Sequence, residues 1–116
     1  MPKNKPFNYQ LTESDVKTLL STLLIMKNVL PTVDIDEFDL ATKLNCLSFG
    51  DKATKQLSAM SVSVSHNELS AMHVSLQLAD MINCSEIEVD PDIKKQCSDY
   101  FFSIKHLLSV FDSFFA

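Results

Sequence analysis

Glycine is almost absent from this 116-residue chain, Gly50 being the only one. Glycine is the residue that most readily adopts positive φ and lets a backbone close on a ligand. Glycine-rich phosphate loops, dinucleotide-binding turns and nucleophile elbows are therefore excluded. Arginine is missing altogether: all ten basic residues are lysines, set against fifteen acids for a net charge of −5. The planar fork that reads guanine or grips a phosphate in two places is not there, and an acidic chain repels a polyanion, so direct nucleic-acid binding is disfavoured. Long apolar runs are lacking too. The strongest, Leu19 to Leu30, is interrupted by Ser21, Thr22, Lys27 and Asn28, which makes it too short and too polar to cross a bilayer. The segment Met1 to Pro6 passes into Phe7-Asn8-Tyr9-Gln10 with no apolar stretch or small-residue cleavage site, so it does not read as a signal peptide. Cysteine is sparse. Cys46, Cys84 and Cys97 are odd in number, widely spaced and without a Cys-x-x-Cys pair, which fits reduced thiols used as small apolar side chains in a cytoplasmic protein.

What is present is the material of a folded domain. The hydrophobic content is 46% and the charged content 22%, and a chain of this length buries roughly two-thirds of its unfolded surface. Residues 1–10 carry two prolines and two lysines with little periodicity and read as an extended N-terminal arm, with Phe7 and Tyr9 as its pins. Residues 11–116 read as a single all-α domain, a compact bundle of four or five helices with a long C-terminal helix. The first helix begins after Thr12 or Ser14 and ends before Pro31. Its core stripe is read as Val16, Leu19, Leu20, Leu23, Leu24, Lys27 and Leu30, leaving Ile25 and Val29 outside it.

A second helix is expected from Asp34-Ile35-Asp36-Glu37 to about Ser48, with Phe38, Leu40, Ala41, Leu44 and Leu47 facing inward and Gly50 as its cap. A third starts near Asp51. Residues 61–65 alternate serine and valine with period two, which leaves open a frayed helix end, an extended connector or a strand paired with another chain. Ser65 and Glu68 have capping-box spacing and open a fourth helix to about Ile82. Asp90-Pro91 starts a fifth, which is read as running almost to the chain end and as the central pillar of the bundle.

At 100° per residue the fourth helix gathers His66, Ser70, His73, Gln77, Asp80 and Cys84 into one polar stripe between apolar flanks. Such a stripe can line a pocket for a metal or a small molecule, with Tyr100 or His106 facing it. However, His66 and His73 stand about 10 Å apart along the axis, whereas paired helical ligands usually sit at i and i+4. A solvated helix face is the plainer reading. Asp39 to Asn45 and Asp51 to Leu57 resemble a helix-turn-helix unit, with Lys43, Lys52 and Lys55 as its basic groups. The intervening stretch from Cys46 to Gly50 is long for that turn.

Acidic residues gather at Asp34, Asp36, Glu37 and Asp39 and again at Glu86, Glu88, Asp90 and Asp92. Both clusters suit helix starts, and both also suit a basic partner. Ile25 and Val29, with Phe102 and Val110 on the fifth helix, lie off the main stripes. Two-sided apolar helices either sit centrally or meet another subunit, so these four residues join Asp36, Glu37, Glu86 and Glu88 as the expected protein interface, a homodimer included. The sequence calls for no cofactor, no resident metal and no catalytic residues. It points to a small non-catalytic protein that binds another protein, as an adaptor, regulator or stoichiometric inhibitor.

Overall fold

The computed structural model describes residues 7, 9–34, 38–58 and 65–116. Thr12 starts α1 (Glu13–Val29): its Oγ1 accepts the Asp15 N–H at 3.1 Å while Asp15 Oδ2 accepts the Thr12 N–H at 3.0 Å. A cap of this kind contributes about 1 kcal/mol. Pro31 then allows only a short 3-10 turn, Leu30–Thr32. α2 (Leu40–Ser58) follows a turn in which Asp39 Oδ1 accepts the Thr42 N–H at 2.8 Å. That bond, made to the ionised carboxylate, lowers the Asp39 pKa. α3 (His66–Asn83) opens on the Ser65 hydroxyl, α4 (Pro91–Asp99) on proline at its first position, and α5 (Phe101–Phe115) ends the chain. The architecture is the expected all-α bundle, with five α-helices and no strand among the described residues.

α1, α2, α4 and α5 all pack against α3, which is the centre of the bundle in place of the C-terminal helix. The C-terminal segment is not one long helix. It breaks at Tyr100, where φ −106° and ψ 18° leave the helical well for a single residue.

The expected second and third helices are one. α2 continues through Gly50, which has no positive φ and caps nothing. Cys46, Gly50, Ala53 and Leu57 form its buried face, and these mostly small side chains let it approach α1 closely. Leu40, Ala41 and Leu44, read as core, are exposed. The core face of α1 is also turned by roughly 100° from the expected stripe. Leu24 is exposed, whereas Ile25, Met26 and Val29 are buried together with Thr18 and Thr22. The threonines are what hid this face. The Thr18 hydroxyl donates to Ser14 O at 3.0 Å and the Thr22 hydroxyl to Leu19 O at 3.1 Å, with Ser75 Oγ of α3 at 3.0 Å, so both are buried at little cost.

α3 ends in a Schellman motif, with Ser85 N–H on Ile82 O at 3.0 Å and Glu86 N–H on Met81 O at 2.9 Å. Ser85 holds φ 62° where glycine is usual. α3 has no basic residue in its own last turn. Lys94 of α4 supplies the charge, donating to Ile82 O at 2.9 Å and to Ser85 Oγ at 2.6 Å. Residues 61–64, with their alternating pattern, and most of the N-terminal arm lie outside the described residues. Of the arm, Phe7 is seen packing on Phe111 and Phe114, with ring centroids 5.1 and 5.2 Å apart.

Candidate functional site

The 4-3-4-3 spacing of His66, Ser70, His73, Gln77 and Asp80 does place them along one side of α3, and α5 runs beside that side. His73 Nε2 lies 2.6 Å from Asp112 Oδ1. A carboxylate can only accept, so this ring nitrogen carries the proton. The His73 ring also stacks on Phe115 at 4.9 Å and 6°. One heptad further along α3, Asp80 Oδ1 meets Lys105 Nζ at 2.8 Å. Hydrogen bonding to Asp80 and then its charge raise the Lys105 pKa.

The two cross-helix pairs are about 10.5 Å apart along the axes. Between them is a cleft of about 380 Å³ lined by Phe38, Gln77, Asp80, Met81, Leu108 and Asp112. Gln77 and Asp80 are the two stripe residues that reach the cleft, and His73 acts on it through Asp112. Ser70 does not line it. His66 is turned to the aromatic end of α5, its ring centroid 5.3 Å from that of Phe115. Among the described residues no three His, Cys, Asp or Glu side chains are grouped to hold a metal ion. Sequence reasoning placed Met81 on the flank of the stripe but missed Asp112, Lys105 and Leu108 as its neighbours, because they lie on α5 and the packing of α5 on α3 is not set by periodicity.

Neither Tyr100 nor His106 lines this cleft. His106 belongs to a second constellation that joins the arm, α1 and α5. Tyr9 Oη donates to Asp15 Oδ2 at 2.8 Å, and His106 Nε2 lies 2.9 Å from the same hydroxyl. With its proton given to the carboxylate, the hydroxyl must accept, so Nε2 of His106 is the donor. Burial works to raise the Asp15 pKa, but the hydrogen bonds from Thr12 and Tyr9 and the charge of His106 outweigh it, and the net shift is downward. Tyr9 shifts upward, first through its bond to Asp15, then through burial and the carboxylate charge.

The expected interface residues separate. Ile25 and Val29 are 3% and 4% exposed and belong to this chain's own core, so central packing explains them. Phe102 is 84% exposed, Val110 is half-buried, Glu86 and Glu88 are exposed, and Asp36 and Glu37 lie outside the described residues. Leu40 at 72%, with Leu44 and Leu24 each at 58%, join Phe102 as large exposed apolar side chains. Leu40, Leu44 and Leu47 share one stripe of α2 with Asp51, and Asp51 pairs with Lys27 of α1 at 3.8 Å. Leu24 lies one turn before Lys27 on α1, while Leu44 and Leu40 lie about two and three turns before Asp51 on the α2 side of this α1–α2 seam.

Lys43, Lys52 and Lys55 all sit on the single helix α2, so no helix pair of the helix-turn-helix kind exists there. Lys43 Nζ is already bonded to Val33 O. Cys46 and Cys97 are buried, with burial raising both thiols and bringing Cys97 to about 11, while Cys84 is exposed. No helix among the described residues is long and apolar enough to cross a membrane. Comparison with protein-family models, with characterised proteins and with solved structures yields no match.

Proposed function

We propose that this chain is a small, non-catalytic cytoplasmic protein that works by binding another protein, as an adaptor, regulator or stoichiometric inhibitor. The observation that carries this reading is the exposure of Leu40 and Leu44, one turn apart on the α2 side of the α1–α2 seam. Scattered exposed leucines need no explanation, but two stacked one turn apart on a helix face are costly to leave in water and suit a partner's apolar surface. The half-exposed pair Lys27 and Asp51 would then be rim charges, which steer encounter more than they fix affinity. Self-association through the same seam is the homodimer form of this proposal.

Native mass spectrometry of protein isolated gently from its own source tests it, by showing whether a second chain is bound and which one. Leu40→Asp combined with Leu44→Asp should then abolish that complex while leaving the melting temperature of the free chain nearly unchanged, since both side chains already face solvent. A complex that survives this double substitution would remove the seam from the reading. A chain that is always monomeric and bare would remove protein binding itself.

A further inference from the structure

We propose that the cleft between α3 and α5 binds a small amphipathic ammonium ion, an alkyl or arylalkyl primary amine. This inference stands apart from the α1–α2 seam and does not depend on it. The cleft, at about 380 Å³, falls within the range of small-ligand sites. Its lining divides by chemistry. Phe38, Met81 and Leu108 supply apolar surface, Gln77 supplies an amide, and Asp80 and Asp112 supply carboxylates.

The sign of the charge follows from which partner of each cross-helix pair lines the cleft. Both carboxylates do, whereas Lys105 and His73 do not. A bound ion therefore meets two negative groups before it meets a positive one. Each pair engages Oδ1 of its carboxylate, and a carboxylate has lone pairs on both oxygens for further donors. An ammonium presents three donors and its hydrocarbon body covers Met81 and Leu108, while a carboxylate ligand in the same position would be repelled. The hydrogen bond from His73 and the Lys105 contact also hold the two acids in place on their helices, so little is lost in ordering the site when a ligand enters.

The test is an NMR titration of the full chain with three probes of similar shape: phenethylammonium, neutral phenethyl alcohol and anionic hydrocinnamate. Saturable millimolar shifts are expected for the ammonium at Gln77, Asp80, Met81, Leu108 and Asp112, with weaker shifts for the alcohol and none for the anion. Asp112→Asn, at a side chain 62% exposed and so tolerant of change, should weaken ammonium binding about five-fold. Glu88→Gln, the same charge change outside the cleft, should leave it unaltered. Equal binding of all three probes, absence of saturable shifts at these residues, or equal effects of the two substitutions would each overturn the assignment. Tighter binding of N-acetyl-lysine methylamide than of phenethylammonium would assign the cleft to a partner's lysine side chain and overturn the free-amine proposal.

Discussion

Gly50→Ala separates the close approach of α1 and α2 from every local account of this glycine. A Cβ at position 50 would lie 2.7 Å from Met26 Cε and 3.7 Å from Leu23 Cδ2. The second distance is an ordinary contact, but the first is an overlap with the methyl of a side chain only 1% exposed. Two effects oppose each other. Alanine in a helix interior is favoured over glycine by about 1 kcal/mol, while forcing an extra methyl into a packed core costs about 1–3 kcal/mol. Met26 Cε is the free end of a flexible side chain, so the cost sits near the low end of that range, and the two effects should nearly cancel in the melting temperature.

The informative background is Met26→Leu, which removes Cε and by itself costs less than about 1.5 kcal/mol. In that background Gly50→Ala should stabilise by about 1 kcal/mol, because helix propensity then acts unopposed. The cycle should therefore show a coupling of about 1 kcal/mol, read from urea unfolding curves of the four proteins at constant m. An equal effect of Gly50→Ala in both backgrounds would refute the reasoning. A helix cap at Gly50 gives a different result, since alanine would then be unfavourable whichever residue stood at 26.

Ser85→Gly should stabilise by about 0.5–1 kcal/mol in urea unfolding, the relief of a left-handed serine being larger than its lost bond to Lys94. Lys94→Ala should destabilise by about 1 kcal/mol through the uncapped end of α3. Tyr9→Phe should cost about 1–2 kcal/mol at neutral pH, as expected for a hydrogen bond to a carboxylate. It should also flatten the acid limb of stability. The folded Asp15 pKa is below its unfolded value, so its contribution is complete above about pH 4 and is lost as pH falls through the lower folded value. Tyr9 has the opposite sign. Its contribution is complete below about pH 10 and is lost as pH rises through its raised folded value, so the variant should lose that alkaline dependence too.

The helix class and most boundaries were legible because caps and breakers are local chemistry: Thr12 with Asp15, Pro31, Ser65, and Asp90-Pro91 each act within one turn. Faces were less legible. Thr18 and Thr22 look like solvent residues until their hydroxyls find backbone carbonyls and Ser75, and that inverts the choice between Leu24 and Ile25. Gly50 looks like a terminator because its value lies in the missing Cβ against Met26, a contact between helices. Tyr100 carries no breaker signal, being neither proline nor glycine, so the sequence reads as one helix across it. The polar stripe of α3 was visible from spacing alone, while the residues that turn it into a cleft come from α5 and from Phe38, beyond the reach of periodicity.

The central place of α3 has a consequence for synthesis. α1 and α2 leave the ribosome before the helix on which both are packed, so the α3-facing apolar surfaces of the first 58 residues have nowhere to go until residue 83 has been made. At ordinary elongation rates that interval is on the order of seconds, long against the microseconds in which the helices themselves can form. During that time the face of α1 around Thr22, which meets Ser75 of α3 in the finished fold, stands open, and the nascent chain presents a half-bundle that a chaperone, or a second nascent copy, could occupy before α3 arrives.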